Sequence, residues 1–153
     1  MNPIEIRPCT VLDIEAAPNL EALLAEYAAE SSNPEIGPVS AQIPVYRQLE
    51  AAGMLHAVGA FQDDTLAGFV FVLVSVLPHY GRKVATSESL FVAAVARSTG
   101  AGMRLLHEAE HLARKHGATA FLLSAPAESQ LDKVMRGLHS YRLSNVVFIK
   151  ELA

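Results

Sequence analysis

The chain has 153 residues, is half hydrophobic, and carries a net charge of −4 and a single cysteine, Cys9. That length buries one core of ordinary size, and the composition excludes a disordered chain, an internal disulfide and a thiolate metal cluster. With a pI of about 5.8 there is no basic face for a nucleic-acid backbone.

Residues 4–7 alternate apolar and polar and predict a first strand. Asp13 is a candidate cap for a helix lined by Ile14, Leu20, Leu23, Leu24 and Tyr27, with Pro18 either near its start or breaking it. Residues 31–40 hold Asn33-Pro34 and Gly37-Pro38 and predict a loop. A second helix is expected from about 40 to 52, with Pro44 in its early turns and Gly53 as its stop.

Residues 55–61 and 66–77 are rich in Val, Phe and Leu, and Asp63-Asp64 between them predicts an antiparallel hairpin. The run 66–77, broken by Gly68 and Ser75, falls well short of the ~20 residues of a membrane-spanning helix. Residues 1–8 lack the pattern of a signal peptide, so a soluble cytoplasmic protein with no membrane partner is expected.

Residues 78–83 read as a loop, 84–95 as a further strand and 96–102 as a glycine-containing turn. Residues 103–116 predict a strong helix stopped by Gly117. A short buried strand at 120–124, a helix at 128–138 and an alternating last strand at 146–152 follow. The order βααβββαβαβ predicts an α+β or α/β three-layer arrangement, not a doubly wound parallel sheet, in one domain over residues 1–153.

The stretch from Glu88 to Met103 carries the chemistry. A strand ending Leu90-Phe91-Val92 runs into a turn containing Arg97, Ser98, Thr99, Gly100, Ala101 and Gly102, and the turn opens the long helix. The first turn of a helix has N–H groups without intrahelical partners and sits at the positive end of the helix dipole, which makes an anion site. Gly100 and Gly102 let a phosphate approach the backbone, and Arg97 adds positive charge. No Gly-Lys-Ser/Thr is present, so the turn is not a Walker-type loop. Leu105 stands where a dinucleotide fold needs its third glycine.

The stretch resembles the acetyl-CoA motif of the GNAT N-acetyltransferase superfamily: a strand ending Leu-x-Val, then Arg/Gln-x-x-Gly-x-Gly/Ala, then a helix. Leu90, Val92, Arg97, Gly100 and Gly102 fill it, with Ala94 in place of the usual proline, and the element order agrees along most of the chain. The resemblance implies a mixed, mainly antiparallel central sheet flanked by helices, with acetyl-CoA as cosubstrate. It places Phe91 and Val92 beside the pantetheine arm and residues Arg97 to Met103 on the pyrophosphate. It implies direct acetyl transfer to an amine with no acyl-enzyme; Cys9, far from the motif in the turn after the first strand, need not be a nucleophile.

By the same resemblance Glu88, two residues before the leucine, is the candidate general base; in a sheet interior desolvation would raise its pKa toward that task. A cation such as Lys83 or Arg82 could instead pair with it. The family's general acid is a tyrosine within the helix after the next strand, and residues 128–136 hold none. Tyr141 is the candidate that remains, although it falls nearer the aromatic of the family's Gly-Phe pair, which packs. Ser129 is the nearest substitute for the family's asparagine at the cofactor. An unusual acid, no acid, or a CoA-binding module without activity are the readings left open.

His107-Glu108-Ala109-Glu110-His111 spells the zinc-protease signature H-E-x-x-H. At ~100° per residue, Gly102, Leu105, Leu106, Ala109, Leu112 and Ala113 share one face, and the two histidines lie nearly opposite, so a solvated face is expected and no metal site. The acceptor, a small molecule or a peptide amine, has no motif; the resemblance implies that residues 27–46 line its pocket. A homodimer is compatible with the family.

Overall fold

The computed structural model describes residues 2–153, and Met1 lies outside the described residues. Five strands, β1 (Glu5–Cys9), β2 (Leu55–Gln62), β3 (Thr65–Leu77), β4 (Arg82–Val92) and β5 (Phe121–Leu122), form one sheet in the order β1-β2-β3-β4-β5. Every pairing is antiparallel except β4 with β5, which is parallel. The mixed, mainly antiparallel architecture expected from the sequence is therefore present.

Between β1 and β2 the chain forms α1 (Val11–Glu15), α2 (Leu20–Ser31) and α3 (Ile43–Ala51). The single first helix expected from the sequence is two helices, because Pro18 cannot continue α1. The cap of α1 is Thr10; Asp13 is its capping-box partner three residues on, each side chain bonding the other's backbone N–H at 2.9 and 3.1 Å. After β4 a 3₁₀ segment (Ala94–Thr99) leads into α4 (Ala101–Lys115), and α5 (Gln130–Arg136) follows β5. The strand expected over 84–95 thus stops at Val92.

The sheet separates two cores. On one face α1 and α2 place Val11, Ile14 and Leu23 against Leu55, Phe69, Phe71 and Phe91, with Tyr27 of α2 and Tyr46 of α3 at the margin. On the other, α4 sets Leu105, Ala109, Leu112 and Ala113 against Val58, Val70, Val72 and Ala85. These buried residues of α4 match the helical face read from the sequence, and His107 and His111 are exposed.

One expected element is not formed. Residues 146–152, expected as an alternating strand, are exposed and paired with none of the five strands. Four apolar residues stand in a row there, Val146 to Ile149, and a run of β-formers makes a strand only where a neighbouring strand accepts its hydrogen bonds.

Candidate functional site

Glu88 owes its place to a register shift. Phe71 pairs with Ser89 and Val72 with Ser87, so Glu88 is the extra residue of a β-bulge in β4. Ala85, before the bulge, belongs to the α4-side core, whereas Phe91 and Ala93 beyond it belong to the opposite core. Strict alternation would put 85 and 91 on one face; the extra residue flips the parity and turns Glu88 toward α3. There the Tyr46 hydroxyl donates to Glu88 Oε1 at 2.9 Å. Glu88 is exposed, so the interior, desolvated carboxylate expected from the sequence is not what the fold provides, and neither Lys83 nor Arg82 pairs with it among the described residues.

Two phenols attend this carboxylate. Burial, then the charge and hydrogen bond of Glu88, pushes the Tyr46 hydroxyl far above the ordinary tyrosine range, and burial followed by the Glu88 charge raises Tyr27. Both keep their protons at neutral pH, and Tyr46 donates its own to Glu88. Tyr46 stacks on Phe71 with ring centroids 4.7 Å apart, and Tyr27 meets Phe91 at 5.1 Å and Phe69 at 5.8 Å. Tyr27, Tyr46, Phe69 and Phe71, with Ile14, Leu20 and Leu24, line an apolar chamber of about 30 Å³ that Ser89 also borders, and Glu88 is joined to it through the Tyr46 hydroxyl.

The second half of the site lies where β4 parts from β5. The two strands pair only at Ala85 with Phe121 and Thr86 with Leu122, and one further bond, Ser124 N–H to Ser87 Oγ at 3.2 Å, continues the contact. From Glu88 to Val92 the β5 side of β4 has no strand neighbour. Just beyond, Gly100 caps α4 in the left-handed region at φ +81°, where a Cβ would meet no other atom; its glycine answers to the backbone angle and leaves the space outside the turn open. Gly102, in the first turn of α4, has room for a Cβ in ordinary contact with Val92. Thr99 stabilises the turn, donating to the Ala96 carbonyl at 2.5 Å and accepting from Ala101 N–H at 3.3 Å. Ser98 is exposed and Met103 half-buried.

Arg97 is less free than its sequence position implies. Its guanidinium bonds Glu30 of α2 at 2.5 Å and the Val92 carbonyl at 3.0 Å, and lies 5.4 Å over the Phe91 ring. Glu26, also on α2, accepts from Ala94 N–H at 2.7 Å. Two carboxylates of α2 thus fasten the segment joining β4 to α4. Glu26, Glu30, Tyr27 and Tyr46 belong to no motif; Tyr27, Glu30 and Tyr46 fall within the residues 27–46 that the resemblance implied for the acceptor pocket, and Glu26 carried no signal in the sequence.

Tyr141 lies elsewhere. Its hydroxyl donates to Glu110 at 3.0 Å, and burial followed by that carboxylate raises its pKa far above the usual range. Glu110 stands nine residues beyond Ala101, about 14 Å along the α4 axis from its start. Ser129 caps α5, accepting from Asp132 N–H at 3.2 Å. Among the described residues no group of three His, Cys, Asp or Glu side chains is arranged to hold a metal ion. The Cys9 thiol, at the end of β1, is pushed up to about 12 by burial and then by Asp13, out of the reactive thiolate range.

This arrangement of splayed strands, glycine turn and helix agrees with a family model. The model of the Acetyltransferase (GNAT) family matches residues 20–138. The chain belongs to the GNAT acetyltransferase family. Solved GNAT structures share its fold along almost the whole chain. A ribosomal-protein-alanine N-acetyltransferase from Brucella melitensis biovar Abortus 2308 superposes with a TM-score of 0.70 at 19% identity, covering 97% of this chain and 99% of that one. An aminoglycoside acetyltransferase from an uncultured soil metagenomic sample, in complex with trehalose, gives 0.74 at 16%, covering 98% and 97%. Glucosamine-6-phosphate N-acetyltransferase from Arabidopsis thaliana gives 0.67 at 11%, covering 97% and 100%. At these identities the likeness is one of fold. No curated protein matches the sequence significantly. No helix among the described residues is long and apolar enough to cross a membrane.

Proposed function

We propose that this GNAT protein transfers the acetyl group of acetyl-CoA directly to an amine, in the cytoplasm. The observation that carries the reading is the parting of β4 from β5 immediately before the glycine turn at the start of α4. The residues fit the cosubstrate: the open β4 edge from Glu88 to Val92 offers backbone groups to the pantetheine amides, Phe91 and Val92 among them. The N–H groups from Ser98 to Met103 and the open space over Gly100 suit a pyrophosphate. Arg97, paired with Glu30, shapes that turn as much as it charges it.

Acetyl-CoA, when bound, supplies an activated thioester carbonyl. Glu88 takes the proton that the incoming ammonium must lose, and Tyr46 holds the carboxylate in place by donating to it. Glu88 is exposed beside Tyr46 of α3, which leaves it in reach of an acceptor arriving from that side. Cys9 takes no part, since a thiol raised that far is a poor nucleophile.

The chamber is too small to hold the acceptor: about 30 Å³ takes a water or two, and apart from Ser89 and the two phenols its lining is hydrocarbon. Release of CoA measured across a panel of arylalkylamines, aminoglycosides, peptide N-termini and lysine peptides tests the transfer and identifies the class of amine.

The second reading is a CoA-binding module without transfer. The anchoring of Tyr141 on Glu110, which leaves no tyrosine of the α5 region at the turn, favours it. Tight acetyl-CoA binding with no turnover on any amine would decide for it.

A further inference from the structure

Helix α2 grips the segment between β4 and α4 with neighbouring side chains. Glu26 Oε1 accepts from Ala94 N–H at 2.7 Å, Tyr27 packs on Phe91 at 5.1 Å, and Glu30 pairs with Arg97 at 2.5 Å. Residues 26 and 30 stand four apart on a helix and so share a face. Ala94 is the first residue of the 3₁₀ segment, and Ala93 before it makes no side-chain cap; Glu26 of α2 serves that N–H instead. Arg97 closes the segment on itself, because its Nε donates to the carbonyl of Val92, the last residue of β4, at 3.0 Å. Gly100, which turns the chain into α4 at φ +81°, follows three residues later.

By charge alone these carboxylates oppose an anion. Glu26 and Glu30 bring two negative charges to the segment ahead of the helix start, and Glu30 engages Arg97, the one cation of residues 93–103. They can aid a phosphate only through geometry, by fixing where the N–H groups at the start of α4 point. Arg97 is engaged likewise, by a carboxylate, a carbonyl and the Phe91 ring.

We propose that Glu26 and Glu30 are positioning residues for acetyl-CoA, and that Arg97 acts through Glu30 and Val92 rather than by touching phosphate. The proposal rests on the reading of this turn as the cosubstrate site, and it gives α2 a part in building that site.

Titration calorimetry with acetyl-CoA on Glu30→Ala, Glu26→Ala, Glu26→Gln, Arg97→Gln and the double variant Glu30→Ala with Arg97→Gln is the test, with circular dichroism confirming the fold of each. Alanine is a good helix former, so α2 should hold. A half-exposed ion pair of this kind is worth up to about five-fold in an equilibrium. Kd is therefore expected to rise about three- to five-fold in Glu30→Ala, Glu26→Ala and Arg97→Gln. The double variant should be no weaker than Arg97→Gln alone, because both changes break one contact. Glu26→Gln keeps an oxygen for Ala94 N–H and should bind nearly as wild type does. Direct contact of Arg97 with phosphate predicts the opposite sign, since Glu30→Ala would then free a cation, remove a negative charge and tighten binding. Tighter or unchanged binding by Glu30→Ala would overturn the proposal and leave the cosubstrate reading standing. So would a Glu26→Gln as weak as Glu26→Ala, or a double variant weaker than Arg97→Gln by the whole Glu30→Ala factor. Wild-type protein that binds no acetyl-CoA would overturn both.

Discussion

Glu88→Gln keeps the size of the side chain and an oxygen to accept the Tyr46 hydrogen bond, yet it cannot take a proton. If Glu88 is the base, acetyl-CoA affinity should hardly change while kcat falls by about 10²–10⁴ at pH 7, or roughly 3–5 kcal/mol of barrier. Tyr46→Phe removes the donor that orients Glu88. A hydrogen bond to a charged group can be worth about 1.5–3 kcal/mol, but Glu88 is exposed, so water takes over much of the role and about 1 kcal/mol, near five-fold in kcat, is expected. The pH profile separates a base from a binding group. For an alkylamine of pKa ~10.4, about 1 molecule in 2,500 is neutral at pH 7 and roughly a third at pH 10, so the Glu88→Gln deficit should shrink across that range. Steady-state assays of CoA release from pH 7 to 10 measure all of this. Normal turnover by Glu88→Gln throughout, or a loss in Tyr46→Phe as large as in Glu88→Gln, would refute the assignment.

Three further predictions follow from the geometry. Gly68→Ala would set a Cβ 2.7 Å from the Phe91 carbonyl oxygen and 3.2 Å from Val92 Cα, both backbone, and should cost about 1–3 kcal/mol; a thermal melt should show a drop of about 2–4 °C per kcal/mol, and an unchanged Tm would contradict the close β3–β4 approach. Burial, and then the neighbouring charge of His116 stacked at 3.7 Å, lowers the His56 pKa, so below about pH 6.5 the unfolded chain binds more protons and stability should fall as pH falls; urea midpoints at pH 7.5 and 5.5 should differ less in His56→Phe than in wild type. Tyr141→Phe should lose about 1 kcal/mol of stability with kcat unchanged, whereas a fall in kcat at unchanged Tm would return its hydroxyl to the chemistry.

The hairpin of β2 and β3, the long helix α4 and the glycine turn before it were legible because each depends on local pattern: runs of β-formers, a helical apolar face, and glycines at a helix start. The break at Pro18 was legible as an alternative and needed the fold to decide it. Other features arise from pairing. The bulge that turns Glu88 toward Tyr46 is a matter of register between β3 and β4, and nothing in the composition of residues 82–92 announces it. Glu26 and Glu30 lie 68 and 67 residues before the residues they fasten, so only the packing of α2 on the sheet reveals their role. Residues 146–152 show the reverse case, a strand expected from the sequence that pairs with none of the five strands.

Titration calorimetry with acetyl-CoA, on wild type and Gly100→Glu, tests the central claim most directly. Wild type should bind one molecule per chain. Gly100→Glu forces a side chain at φ +81° and sets a negative charge where phosphate must lie, so it should abolish measurable binding while circular dichroism shows the fold retained. Wild-type protein that binds no acetyl-CoA, or a folded Gly100→Glu that binds it as tightly as wild type, would contradict the account.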